Sequence, residues 1–403
     1  MTFDFFLILL SSILIVDGFY ENTNLFNQSY YDYLNTQKIL IDDVFRDYDP
    51  TVSPVFTRGV IGNVDMHNDL TSSPNIWNYT VYLYYLKLVE VDEPTEIVSV
   101  VLELMEFWYD ARLAWDPDKY GNITSFYIRQ ERVWSPTLSA FGVNDIQDFR
   151  DQDFRLVSVV NNGYVFTYIP VKISVNCALN MKRFPFDKQS CLIRISLPIF
   201  YYKEIQVFNE VYEGIQSEQQ FELMGNSEWR VTNLSGRVEI LHYNDTYSDL
   251  QLSVFKIDLE RNPMYYFYMI ILPSFIINSV SIIGIFLKDA DKMSRLNVGI
   301  TNIMTMTFIL GVMADKIPRT GAIPLLGIYI IINLAIMILS IAVITFLGSF
   351  RKWMEPKIRD SKDRMSLFAK NFIGRRLEIL IVVILFLINV GNFLMMIFFW
   401  IFN

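Results

Sequence analysis

Histidine and cysteine are nearly absent, with two of each in 403 residues. His67 and His242 could at most form a two-histidine metal site, and nothing around them supports one. No nucleophile elbow, phosphate loop or zinc spacing occurs. An enzyme reading therefore has no candidate chemistry, and no cofactor or nucleic-acid partner is expected. The nearest approach to an acid–base pair, Glu106 with Asp110, reads as solvated charge on a strand edge. Charge itself is scarce, at 19% of residues, which is low for a soluble chain of this length. Internal repeats and low-complexity tracts are also lacking.

Apolar residues make up 52% of the chain, unevenly placed. A first run lies in 1–18 and reads as a secretory signal peptide ending near Gly18, although Asp4 stands where a basic residue is usual; a signal anchor is the alternative. Five Asn-X-Ser/Thr triplets begin at Asn27, Asn78, Asn122, Asn233 and Asn244, all before Met264, and mark glycosylation acceptors in an exported segment. In an exported chain the even pair Cys177 and Cys191 points to a disulfide, with two unpaired core thiols as the alternative.

From 19 to 263 short runs alternate apolar and polar residues, as in TVYLYYLKLVEV and DLQLSVFKIDLE, with turn signals between them. This pattern predicts an all-β, immunoglobulin-like sandwich; a closed barrel would give the same pattern. Four apolar segments follow, at 264–287, 296–313, 325–348 and 377–402, and a bilayer span needs about 20 such residues. They predict a four-helix transmembrane bundle. The second segment differs from the rest, carrying Asn297, Thr301, Asn302, Thr305 and Thr307, which suit a helix lining water better than one facing lipid. The loop 350–376 holds nine Lys and Arg against Glu355, Asp360 and Asp363. The positive-inside rule makes it cytoplasmic and puts both termini outside, in a multi-pass plasma-membrane protein. KWMEPKIRD within it reads either as a short surface helix or as a connecting loop.

Several motifs, in order, resemble one family. Cys177 and Cys191 enclose thirteen residues containing Phe184-Pro185-Phe186-Asp187. Upstream stand Trp108-Tyr109-Asp110, Leu113, Trp115-Asp116-Pro117, Tyr120-Gly121 and Trp134-Ser135-Pro136. Downstream stand Tyr265-Tyr266, Pro273, VGITNIMTMT and Pro318. Over about residues 25 to 402 the chain resembles the Cys-loop, or pentameric, ligand-gated ion channels, as a divergent nicotinic-receptor-like subunit. A disulfide over such a loop contributes about 3 kcal/mol. The resemblance implies that Phe184, Pro185 and Phe186 rest on the linker 316–324, which holds Pro318, and that Arg261 pairs with Asp187. These residues would couple ligand binding to gating; a purely structural hairpin is the alternative.

Helical spacing of three and four puts Ser294, Asn297, Thr301, Met304, Phe308, Gly311 and Asp315 on one face, and the resemblance implies that this face lines the pore. Met304, where the family usually has Leu, and Phe308 are expected to form a closed gate by dewetting. Ser294 replaces both the cation-channel Glu and the anion-channel Pro-Ala signature. Asp315 supplies an outer acidic ring, with Asp289 and Asp291 near the inner mouth. The stretch from Met264 is basic, leaving roughly −16 of charge before it, and an acidic vestibule concentrates cations. Cation selectivity is the resulting expectation.

The resemblance places agonist between subunits in an aromatic box suited to amines. Here Phe141, Pro198, Phe200, Tyr201, Tyr243 and Tyr247 would face Glu103, Phe166 and Tyr168. Glu103 and Pro198 stand where tryptophans are expected, and the adjacent cysteine pair of acetylcholine-binding subunits is missing. Each aromatic also has a core-packing alternative. The expected partners are other subunits, in a homo- or heteropentamer, a small extracellular ligand and the bilayer, with a synaptic location among the expectations. A non-conducting accessory subunit is the competing reading.

Overall fold

The computed structural model describes residues 27–55, 77–200, 204–242, 249–285, 292–315, 323–359 and 377–402. The signal segment, Tyr201, Tyr243, Asn244, Tyr247, Pro318, most of the linker 316–324 and 360–376 lie outside the described residues. The described residues begin with a helix that the alternation did not predict, Asn27–Val44. It seats the fully buried Leu40 on the domain and exposes Tyr30, Tyr31 and Tyr33. The Tyr120 hydroxyl donates to Asp43 at 3.1 Å and ties its end down.

Two sheets then pack face to face. The larger runs β3 (Ser125–Arg129), β6 (Leu156–Val160), β7 (Tyr164–Asn176), β2 (Ile97–Tyr109), β1 (Trp77–Asp92) and β9 (Ile205–Val211), with β5 (Val143–Asp148) also on β7. The smaller runs β10 (Trp229–Leu241), β11 (Leu250–Arg261), β8 (Lys188–Ser196) and β4 (Ser139–Phe141). The sheets do not close on each other, so the sandwich holds and the barrel alternative does not. Cys177 and Cys191 are bonded, with Cα atoms 5.4 Å apart, between the end of β7 and β8. Asn78, Asn122 and Asn233 are exposed on this domain.

Four helices are long and apolar enough to cross a membrane. The first enters through Met264–Tyr266 and a π-helical turn, Phe267–Ile271, and continues as Leu272–Ile285. The second is Lys292–Ala314 and the fourth Leu377–Ile401. The third runs unbroken from Leu325 to Arg359, so Lys352 to Arg359 of KWMEPKIRD extend a membrane helix instead of forming a loop. Asparagines join these helices. Asn278 of the first donates to Asn333 of the third at 3.2 Å and to Asn389 of the fourth at 2.8 Å. Asn392 of the fourth donates to Asn333 and to the Tyr329 carbonyl, at 2.9 and 3.1 Å. In hydrocarbon such interhelical bonds contribute about 1 kcal/mol each. Polarity is therefore not peculiar to the second helix, as the sequence suggested. In the others it is turned inward.

The solvated reading of Glu106 and Asp110 is overturned: both are buried. Strand parity explains the first. Leu102, Leu104, Glu106 and Trp108 alternate into the sandwich core, as a period of two requires. The Tyr79 hydroxyl donates to Glu106 at 2.6 Å, and no Lys or Arg pairs with it among the described residues. Asp110 is satisfied differently, by Arg112 at 2.7 Å and Tyr48 at 3.0 Å. Burial pushes the Glu106 carboxyl up to about 7 from 4.5, against the pull of the Tyr79 bond and Arg150. Between about pH 4.5 and pH 7 the folded state thus holds a proton that the unfolded chain releases. The stabilisation is complete below the unfolded value and is lost as pH rises from about 4.5 through about 7, at most on the order of 3 kcal/mol. The thermal midpoint of the detergent-solubilised chain should fall between pH 5 and pH 8, and Glu106→Gln should flatten that fall and raise the midpoint at pH 8. An identical pH profile in the variant would refute the assignment.

Candidate functional site

Three places hold the predicted site residues, and the most tightly built lies where the sandwich meets the membrane helices. Arg261 ends β11 with its side chain fully buried. Its Nε donates to Asp187 Oδ1 at 2.9 Å and its Nη1 to Glu93 Oε1 at 2.8 Å. Nη1 also pairs with Glu228, which accepts the Tyr266 hydroxyl at 2.7 Å. Three segments supply the carboxylates: the β1–β2 turn, the disulfide loop and the residue before β10. The guanidinium carbon stands 4.1 Å from the Trp229 ring centre and 4.8 Å from that of Phe184, in cation–π range. Burial works against the charge on Arg261, but Asp187 and Glu93 outweigh it and hold the group above its ordinary value. Burial raises the Glu93 carboxyl despite Arg261.

The loop tip contacts the membrane helices through this cluster. Phe184 and Phe186 are buried. The Phe184 ring meets Tyr266 edge-on at 4.7 Å, at the start of the first helix. The Leu326 amide donates to the Phe184 carbonyl at 3.1 Å, at the start of the third. Sequence reasoning identified Arg261 with Asp187 but missed Glu93, Glu228 and Tyr266. A carboxylate in the turn Glu93-Pro94-Thr95-Glu96 looks like any exposed hairpin acid until the fold brings it to β11.

The second membrane helix is asymmetric. Gly299, Met306 and Met313, seven residues apart, are its buried positions, one stripe at two turns' spacing. Ser294, Asn297, Thr301, Met304, Phe308, Gly311 and Asp315 are all exposed, with Met304 at 73% and Phe308 at 72%. Two polar residues need no water. The Thr305 and Thr307 hydroxyls donate back to the carbonyls of Thr301 and Met304, at 3.0 and 2.9 Å.

The ligand-box residues divide between the two sheets. Glu103 on β2 and Phe166 and Tyr168 on β7 come together on the outer face of the larger sheet. Tyr168 donates to Glu103, and burial followed by that carboxylate raises its hydroxyl. Phe166 lies 5.7 Å from Phe107. Among the described residues no Lys or Arg pairs with Glu103. Phe141, half exposed, sits on β4 opposite Arg194, and Pro198 is exposed after β8. Phe200 departs from expectation: it turns into the core, 6.2 Å from Trp134. His242 and Asp249 bond at 2.7 Å across the base of the β10–β11 hairpin.

The Arg261 cluster makes a testable demand. Arg261→Gln strands Asp187 and Glu93 without their cation, and breaking a buried pair from one side costs about 3–5 kcal/mol. Thermal denaturation should show that loss. A double-mutant cycle with Asp187→Asn should give a coupling of about 1–3 kcal/mol; additive effects would contradict direct pairing.

Two family models match. One, the neurotransmitter-gated ion-channel ligand binding domain, covers residues 37–263, and the other, the neurotransmitter-gated ion-channel transmembrane region, covers 270–378. Among curated proteins, the neuronal acetylcholine receptor subunit alpha-9 of Gallus gallus is 23% identical, over 76% of this chain and 59% of that one. The 5-hydroxytryptamine receptor 3A of Cavia porcellus is 25% identical, over 75% and 58%. The acetylcholine receptor subunit alpha-type deg-3 of Caenorhabditis elegans is 26% identical, over 66% and 46%. The chain thus spans less than two thirds of the length of these relatives. With the disulfide loop seated on the membrane helices and both family models matched in order, the chain belongs to the neurotransmitter-gated ion channels.

Proposed function

We propose that this chain is a subunit of a pentameric, extracellular ligand-gated channel of the plasma membrane that conducts cations. The observation that carries the reading is the second membrane helix, which buries Gly299, Met306 and Met313 and leaves the opposite face, with Asn297 and Thr301, uncovered within the subunit. Five copies around an axis would turn that face onto water. Hydroxyl and amide rings then lead to Met304 and Phe308, the gate, and Asp315 forms an acidic ring beyond it. Glycosylation at the five sequons, removal of 1–18 and a synaptic location belong to this proposal too.

Agonist sits between subunits. One face is Glu103, Phe166 and Tyr168; the other comes from Phe141, Pro198 and the β10–β11 hairpin, where Tyr243 and Tyr247 stand in the sequence. A ligand that binds the open arrangement more tightly shifts the population toward it. The shift passes through Arg261, Asp187 and the Phe184 tip to the helices it touches. The competing reading, an accessory subunit that does not conduct by itself, has a specific support: Phe200 faces the core and Glu103 replaces a tryptophan, so two positions of the box are altered.

Expression in oocytes, alone and with related subunits, under a panel of amines separates the two. Ligand-evoked current from the chain alone supports the first, and current only with a partner supports the second. In conducting channels Met304→Ser should raise unliganded current on the order of tenfold, equivalent to about 1.4 kcal/mol of lost closed-state bias. Asp315→Asn should lower cation conductance, and ion substitution should place the reversal potential with cations. Accessibility labelling that finds Asn297 and Thr301 shielded in every state would remove the channel reading.

A further inference from the structure

The asparagines that join the first, third and fourth membrane helices do not satisfy one another completely. Asn278, Asn333 and Asn392 are 0%, 0% and 7% exposed, and each lies well inside its membrane span. At that depth a polar atom must find its partner within the protein.

A backbone group fixes which way each amide points. The Tyr329 carbonyl accepts from Asn392 Nδ2 at 3.1 Å, so the nitrogen of Asn392, not its oxygen, faces the third helix. The same nitrogen donates to Asn333 at 2.9 Å, which makes the atom it meets Oδ1. Asn333 Oδ1 also accepts from Asn278 Nδ2 at 3.2 Å. Asn278 Nδ2 donates in turn to Asn389 Oδ1 at 2.8 Å. Turning any one of these amides over would set oxygen against oxygen or nitrogen against nitrogen.

The arrangement leaves a definite remainder. Asn278 Oδ1, Asn392 Oδ1 and Asn333 Nδ2 have no hydrogen-bond partner among the described residues. Each is the second atom of an amide that meets the others at Asn333 Oδ1. Tyr329, one turn before Asn333, donates its hydroxyl to the Ile271 carbonyl at 3.0 Å and leaves the Asn333 nitrogen unpaired. Two acceptors and one donor are therefore unmet at one junction of three helices.

That set selects its ligand. A water molecule donates twice and accepts at its oxygen, which is the complement of what is left over. A metal cation would face the N–H groups of Asn333, and an anion would face two carbonyl oxygens. An alcohol has one O–H for two acceptors. Buried waters typically make about three hydrogen bonds to groups that are otherwise unsatisfied.

We propose that this junction is a binding site for a single ordered water molecule, which donates to Asn278 Oδ1 and Asn392 Oδ1 and accepts from Asn333 Nδ2. The fourth helix then joins the first and third through a hydrated contact deep in the membrane half. The site does not depend on the agonist or on the ion that the pore carries.

A cryo-electron microscopy map of the assembled full chain in lipid nanodiscs, at a resolution that shows ordered water, tests this. The expected result is one rounded peak about 2.7–3.0 Å from the three free amide atoms. X-ray radiolysis gives a second reading, because it makes hydroxyl radicals from water where the water is bound. Tyr329, fully buried, should be labelled by X-rays and not by radicals diffusing in from peroxide. Asn278→Leu with Asn392→Leu removes both acceptors. It should abolish the peak and bring Tyr329 labelling down to the peroxide level. Should that variant fail to assemble, the map and labelling of the unaltered chain decide by themselves. An absent peak in a map that shows water elsewhere in the protein interior would overturn the proposal. So would an elongated peak, as from an alcohol or acyl chain, or a Tyr329 that X-rays leave unlabelled.

Discussion

A fully buried guanidinium, held among Asp187, Glu93 and Glu228, is the interaction on which the joint between the two halves of this molecule depends. Moving an ion of this kind out of water costs several kcal/mol even after relaxation. Arg261 is tolerable in the interior only because three separate segments bring carboxylates to it and aromatic faces close over it. That requirement fixes the relative placement of the β1–β2 turn, the disulfide loop and the start of β10. The loop so placed carries Phe184, whose ring meets Tyr266 and whose carbonyl accepts from Leu326. The sandwich is therefore packed directly against the first and third membrane helices. Packed contacts of this sort have discrete arrangements and do not deform continuously.

The membrane half handles polar side chains in two ways. Asn278, Asn333, Asn389 and Asn392 face one another between helices, where hydrogen bonding offsets the cost of leaving water. Asn297 and Thr301 face outward from the second helix instead. Thr305 and Thr307 bond to their own backbone and so say little about their surroundings. Helix polarity alone does not separate residues packed between helices from residues left uncovered; the position relative to the packed stripe does.

Much of the fold was legible along the chain, because period-two runs and apolar segments near membrane thickness are local properties. The disulfide and the pairing of Arg261 with Asp187 followed from a recognised order of motifs. Glu106 was within reach too: it shares parity with Leu102, Leu104 and Trp108, and applying the strand period to a carboxylate would have buried it. The helix Asn27–Val44 escaped because only Leu40 of its described residues is fully buried, with Ile41 and Val44 partly covered, and so it carries a weak apolar stripe. The continuation of the third helix to Arg359 escaped because charge was read as the end of a span, whereas a helix needs only backbone bonds to continue beyond the bilayer.

By itself the sequence determined the class of this protein: a β-sandwich tied by one disulfide, four membrane helices, and one helix face of pore-suited spacing. These are set by periodicity and by residue order, which need no partner segment. Only the tertiary structure decided that Glu93 and Glu228 join Asp187 on Arg261, that Glu103 binds Tyr168 on an outer sheet face, and that Phe200 faces inward. Each of these depends on which distant segment arrives beside it. An exposed carboxylate and one buried against an arginine from a remote strand read identically along the chain.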